Sequence, residues 1–378
     1  MNVLHVTGKA QFGGIQRLVL DLAECQMKCQ EIPVGVLFSM ADGEFLDKFT
    51  RSGLTLYSAG LSGGYDVAPR KYRRVLDIFR QYRVLHFHGF NPFLAACAIT
   101  SGSYLVYTEH GNFAFGRKTG VADVIKSRLL KYFLNSHIDH ITFNSAFTRS
   151  VAEKRYGLRN TPRSIVYNGV DIDGITGSPG QIEDATAALL KGKFVVGTTS
   201  RFAGFKRIDR LINAFAAFQG GKPDAVLLLV GDGALRADLE QLVDKLQISD
   251  KAIFAGYKEN VFDYQRRMDV CVFPSETEPF GIAAVEAMLL GKPTIISNDG
   301  GGLVEVVGGF SRDDVVSDVQ GLAARLDYYY QHREKLAEHA GDRTKHAAKF
   351  NIEDTAVQFL SIYQKAPANV RYPRHVRN

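Results

Sequence analysis

Short apolar runs alternate with longer amphipathic stretches along the whole chain. In the first half the runs at residues 2–7, 32–38, 54–57, 83–87, 103–107 and 139–143 read as strands, and the stretches near 14–29, 70–82, 121–136 and 146–156 read as helices. The second half restarts the pattern. Residues 193–198, 225–230, 252–254, 270–273 and 294–296 read as strands, and 206–218, 233–246, 259–268, 281–290 and 328–346 as helices. Strand–helix alternation at this spacing predicts parallel sheets covered on both faces. Between the halves, residues 171–191 are rich in Gly, Ser, Asp and Thr and read as a linker with a lead-in helix. The expectation is an α/β chain of two doubly wound, Rossmann-like domains, 1–175 and 176–350, with a helix and tail over 351–378. Ligands of such sheets bind outside the carboxyl ends of the strands, so two in series predict a cleft between those ends.

A length of 378 residues suits two domains. No apolar run approaches the ~20 residues of a membrane-spanning helix. The opening Met1-Asn2-Val3-Leu4-His5-Val6 has no basic leader and reads as a first strand, so a cytoplasmic location is expected. Cys25, Cys29, Cys97 and Cys271 read as reduced buried thiols; Cys25 and Cys29 have the spacing of half a metal site, but no partner pair follows.

The formal charge of +6 is unevenly spread. Residues 1–170 hold 21 Lys+Arg against 12 Asp+Glu, a net +9, and the remainder carries −3. A basic first half suits an anionic membrane surface, a lipid phosphate or nucleic acid, or is simply a solvated face. The basic stretches are Pro69–Arg80, and Arg117-Lys118 continuing through Lys126, Arg128 and Lys131. Both look helical and amphipathic, as membrane-surface helices do. No stacking aromatic platform accompanies them, which argues against nucleic acid.

Four segments carry candidate chemistry. Residues 274–293 follow a strand, and Pro279 and Gly281 mark a turn into a helix. The amides of Phe280, Gly281 and Ile282 are then placed to meet an anion. Glu278 precedes this helix and Glu286 lies two turns further on; they either reach one ligand or serve as a cap and a solvated carboxylate. Residues 200–209 follow another strand, and their Arg201 and Lys206 suit a diphosphate clamp, or are two surface cations. Such a clamp does the charge-neutralising work of a divalent cation, and no Asp-x-Asp pair stands in a matching place. Gly13 and Gly14, after the first strand, allow close backbone approach at a helix start. The Gly-x-Gly-x-x-Gly dinucleotide fingerprint is absent. His110 ends a predicted strand, and His86 and His88 flank the end of another; all three are open to a structural reading. Val230–Gly233 reads as a ligand-side turn, Phe254–Tyr257 as a possible lining for a base, and Asn168–Asp171 as a structural turn.

Together these segments resemble glycosyltransferase family 4, retaining enzymes of the GT-B fold. The resemblance covers nearly the whole chain and is strongest over 193–306. Its most specific piece is Glu-x7-Glu, Glu278 to Glu286; the Arg201–Lys206 loop, Val-Gly-Asp-Gly at 230–233 and Asn-Gly-Val-Asp at 168–171 stand in the family's order. The resemblance implies that Arg201 and Lys206 hold the donor pyrophosphate, Glu278 the donor sugar and Glu286 the ribose. It places the amides at Phe280–Ile282 and at Gly13–Gly14 around the phosphates and His110 near the reacting sugar. It implies no cofactor and no metal, with a UDP- or GDP-type sugar as co-substrate; the basic first half and its two basic stretches lead to the expectation of a glycan or lipid-linked acceptor in bacterial envelope polysaccharide synthesis. Gln16, Ser200 and Arg207 depart from the family's usual Glu, Gly and Gly. The rival readings are a nucleotide-sugar epimerase or sugar phosphorylase on the same scaffold, and an inactive nucleotide-binding scaffold. Residues 352–365 are expected to pack back as a helix, followed by a mobile end at 371–374.

Overall fold

A computed structural model describes residues 1–11, 13–62, 68–111 and 120–368. The Phe12 position, the Arg117-Lys118 pair and the 371–374 end lie outside the described residues. The chain forms two compact units, residues 1–169 with 352–378, and residues 170–351.

The first unit is built on a seven-stranded sheet of Val3–Lys9 (β1), Val34–Met40 (β2), Thr55–Ser58 (β3), Val84–Phe87 (β4), Tyr104–Glu109 (β5), His140–Phe143 (β6) and Arg163–Ile165 (β7). The order is β3-β2-β1-β4-β5-β6-β7, and every pairing is parallel. The order reverses between β1 and β4, the place where connections leave to opposite faces and open a crevice. Helix Gly14–Cys29 covers one face, with Leu18, Val19, Leu22 and Ala23 buried at the spacing of one helical stripe. Helix Ile352–Tyr363 lies beside it and buries Ile352, Ala356, Phe359 and Ile362 in the same core.

The second unit is a six-stranded parallel sheet of Phe194–Thr199 (β8), Ala225–Val230 (β9), Ala252–Gly256 (β10), Val270–Phe273 (β11), Thr294–Ser297 (β12) and Val315–Val316 (β13). Its order is β10-β9-β8-β11-β12-β13, reversing between β8 and β11. Helix Ile208–Phe218 packs its Leu211, Ile212, Phe215 and Phe218 onto one face, and Ala284, Val285 and Met288 of helix Ile282–Leu289 belong to the opposite core. Full burial of each such side chain contributes roughly 1.5–3 kcal/mol.

Three expectations need correction. The helix expected at 328–346 is three pieces, Val319–Gln331, Glu334–Glu338 and Ala340–Ala347. The first starts nine residues early because Asp318 caps it, accepting from the Gly321 amide at 2.7 Å. The helix expected at 206–218 begins at Ile208, since Arg207 takes a left-handed backbone with φ 48° and closes a 3-10 turn over Gly204–Lys206. Of the four thiols, Cys29 is exposed at the end of its helix; burial pushes those of Cys25, Cys97 and Cys271 up to about 12.

Candidate active site

In the second unit the site assembles at the strand-order reversal. β8 and β11 are neighbours there, and the loops leaving their carboxyl ends carry Arg201–Lys206 and Pro274–Gly281. Lys206 and Glu278 join the two loops, with Nζ to Oε2 at 2.6 Å and side-chain exposures of 18% and 12%. The Glu276 amide donates to the Phe205 carbonyl at 2.8 Å, and the Arg207 guanidinium donates to the Glu276 carboxylate at 3.0 Å. Arg210 forks onto both oxygens of Asp299 at 2.8 Å, tying in the end of β12. The Gly302 amide donates to the Glu278 carbonyl at 2.7 Å. Three strand ends are therefore laced together around one ion pair. Arg207 accounts for a departure from the family pattern: its φ of 48° is the conformation that glycine adopts freely, and here Asp209 and Glu276 hold the arginine in it.

The turn into helix Ile282–Leu289 hinges on Gly281, whose φ is 94°. A Cβ there would sit 2.1 Å from Leu303 Cδ2, so no other residue fits without displacing that side chain. The amides of Gly281 and Ile282 have no acceptor among the described residues, as at other helix N-termini that receive anions. The Phe280 ring is buried edge-on against Phe350, so the side chain belongs to the core. Glu286 is 5% exposed, which overturns the solvated reading of this carboxylate. Arg201 is exposed and makes no ion pair among the described residues. The Val230–Gly233 turn is a support: the Phe202 amide donates to the Asp232 carbonyl at 2.9 Å, and a Cβ on Gly231 would lie 2.0 Å from the Ser200 carbonyl oxygen. Asn168–Asp171 is structural too, with Asp171 capping helix Ile172–Thr176.

In the first unit, helix Gly14–Cys29 starts directly after an extended Gly13. Gln16 donates to the Lys9 carbonyl at 3.1 Å, a bond that a carboxylate at this position has no hydrogen to make. His110 follows β5 and is 5% exposed. It belongs to a row of buried polar side chains on one sheet face, set by the two-residue alternation along His5 of β1, His86 and His88, Thr108 and His110, and Thr142 and Asn144. β4 ends at Phe87, so His86 and His88 flank its end as expected. Burial lowers the pKa of His5 and His110 to about 4, and lowers those of His86 and His88 as well. Among the described residues, His5, His86 and His88 form the one group with metal-ligand proximity. Their ring nitrogens are all engaged by one another, His110, Gln26, Tyr363 or Thr108, so hydrogen bonds account for the cluster.

Sequence reasoning missed Glu276, Asp299 and Gly302, which hold the loops, and Gln265, which donates to Thr199 and to the Ala283 carbonyl beneath the helix start. The Asp299-Gly300-Gly301-Gly302 run was the available signal. Gln26 and Tyr363 carried none.

Two family models match the chain. Glycosyl transferases group 1 matches residues 181–347, and Glycosyltransferase Family 4 matches residues 12–173. The chain belongs to glycosyltransferase family 4. This glycosyltransferase is 33% identical over 168 residues to N-acetyl-alpha-D-glucosaminyl L-malate synthase of Bacillus anthracis, a match spanning 43% of each chain, so less than half the length of that relative. It is 26% identical over 342 residues to the phosphatidylinositol N-acetylglucosaminyltransferase gpi3 subunit of Schizosaccharomyces pombe, covering 86% of this chain and 72% of that one. Its structure matches that of Anabaena Alr3699/HepE in complex with UDP at a TM-score of 0.80 and 20% identity, over 96% of this chain and 100% of the other. The glycosyltransferase thus has the GT-B fold of two Rossmann-like parallel-sheet domains.

Proposed function

We propose that this glycosyltransferase moves a hexose-type sugar from a UDP- or GDP-type donor to a glycan or lipid-linked acceptor, with retention and without a metal ion. The observation that supports it most is the Lys206–Glu278 pair beside the Gly281 and Ile282 amides at the reversal of β8 and β11. That geometry suits a diphosphate. In this reading residues 176–350 hold the donor and residues 1–175 the acceptor. Arg201 and Lys206 take the pyrophosphate with the amides of Phe280, Gly281 and Ile282. Glu278 takes the sugar and Glu286 the ribose. Gly13 and Gly14 serve the phosphates, and His110 the reacting sugar. Negative charge grows on the leaving diphosphate as the glycosidic bond breaks, and fixed cations and amides stabilise it where it develops. The structural neighbour's complex with UDP supports a uridine donor. A thermal-shift screen with UDP, GDP, ADP and their sugar conjugates, with and without EDTA, tests the reading. One nucleotide diphosphate is expected to raise the melting temperature equally in both. No shift from any of them would leave the inactive scaffold as the better account, and release of nucleotide without sugar transfer would favour an epimerase.

Helix Val121–Ser136 supports an envelope role at the inner face of the plasma membrane. It buries Leu130, Phe133 and Leu134. Its other side exposes Val121 (79%), Val124, Ile125, Leu129 and Tyr132 (51%), with Lys126, Arg128 and Lys131 also exposed along the helix. An exposed apolar stripe among lysines and arginines is the composition of a helix lying in an anionic interface. Helix Pro69–Phe79 adds exposed Arg70, Arg73 and Arg74. The chain is expected to pellet with phosphatidylglycerol-containing vesicles at low salt, and Ile125→Asp with Leu129→Asp to reduce binding by about tenfold or more. Equal pelleting of wild type and double variant would remove the helix from the account.

A further inference from the structure

We infer that Gln26 sets the tautomer of His110, through His5 and His88, and so decides what His110 can bind. The inference rests on the proposed placing of His110 at the donor sugar. The Gln26 Oε1 atom faces His5 Nε2 at 2.9 Å. A carbonyl oxygen only accepts, so His5 carries its hydrogen on Nε2. A neutral imidazole then has a bare Nδ1, which lies 2.9 Å from His88 Nε2 and must accept from it. His88 in turn has a bare Nδ1, 3.1 Å from His110 Nε2, and accepts from that. The hydrogen of His110 is therefore on Nε2, and its Nδ1 is left as a bare acceptor. That atom is buried with no partner among the described residues.

A second branch leaves the same amide. Gln26 Nε2 donates to the Tyr363 hydroxyl at 3.5 Å, Tyr363 donates to His86 Nδ1 at 2.7 Å, and His86 Nε2 donates to Thr108 at 2.6 Å. Thr108 passes its hydrogen to Thr142, also at 2.6 Å. Both branches are consistent with one orientation of the amide. Rotating Gln26 by half a turn would reverse every bond and turn His110 Nδ1 into a donor.

The consequence concerns ligand choice. The register pairs Glu109 with Phe143, so His110 and Asn144 follow side by side at the ends of β5 and β6. The Asn144 Oδ1 atom is likewise buried without a partner among the described residues. Two acceptors at adjacent strand ends select a group that brings hydrogens, such as a sugar hydroxyl, and reject a carboxylate or a dianionic phosphate oxygen. Gln26, His5 and His88 touch no substrate and act as positioning residues for this contact.

Selective 15N-histidine labelling of the full chain, read by long-range 1H–15N correlation and assigned with His110→Gln, tests the inference. At neutral pH the His110 signal is expected to show a protonated Nε2 and an unprotonated Nδ1; the reverse pattern overturns the assignment. Gln26→Met keeps the length but removes the acceptor. It is expected to give His110 a mixture of tautomers and to weaken binding of the sugar donor found in the thermal screen by about tenfold, the worth of one hydrogen bond. Affinity for the bare nucleoside diphosphate should not change. An unaltered His110 signal in Gln26→Met overturns the relay, and an equal loss for donor and bare nucleotide overturns the sugar contact. If Gln26→Met does not fold, the wild-type spectrum decides. A chain with the expected tautomer but no transfer activity would end the glycosyl-transfer reading and leave the relay standing.

Discussion

Lys206→Ala is expected to lower kcat/KM for sugar transfer by roughly 10²–10³-fold, the usual cost of removing a donor aimed at developing charge. The ammonium is mostly buried and fixed against Glu278 at 2.6 Å, and in the proposed reading it faces the diphosphate with little water between. Its removal also leaves the Glu278 carboxylate uncompensated beside an anion, which adds repulsion to the lost attraction. Arg207→Ala is the contrasting case. That guanidinium is committed to Asp209 and Glu276, and its loss should act on loop order more than on rate. Steady-state kinetics on both variants, with folding checked by circular dichroism, measures the contrast. A Lys206→Ala enzyme within about threefold of wild type would remove Lys206 from the transition state.

The second large effect is on stability against acid. His5 and His110 have folded pKa values lowered to about 4 by burial, as has His140, and burial lowers those of His86 and His88. The unfolded chain takes protons on these rings from pH ~6.5 downward, while the folded chain does not. Stability is therefore full above about pH 6.5 and is lost as the pH falls toward 4. The drop is on the order of 3 kcal/mol for one such ring taken singly, and coupling within the row makes the total less than additive. The second unit has no buried histidine. Hydrogen exchange followed by mass spectrometry at pH 7.5 and 5.0 should show β4–β6 losing protection while β8–β11 holds. Equal loss in both sheets, or none in either, would contradict the burial of the histidine row.

Most of the sheet was legible because buried parallel strands are apolar runs, and β8, β9 and β11 begin and end within a residue of expectation. β7 and β13, of three and two residues, are too short to leave a pattern. In the site, the charged residues of each loop were visible, but their pairing was not. Lys206 and Glu278 are 72 residues apart, and only the neighbouring of β8 and β11 brings them together. The histidine row was half visible. His86-x-His88 alternates as a strand face does, whereas Gln26 and Tyr363 lie on helices 337 residues apart and look like ordinary surface and core positions.

Helix Ile352–Tyr363 belongs to the first unit although all of the second unit precedes it in the chain. During synthesis, then, the β1–β7 sheet emerges early but stays open along helix Gly14–Cys29 until residues 352–363 have left the ribosome. The second unit, made from one unbroken segment, is free to fold in the meantime. The unit begun first is finished last, and the nascent chain has to shield an uncovered apolar flank throughout, the stage at which chaperones are most needed.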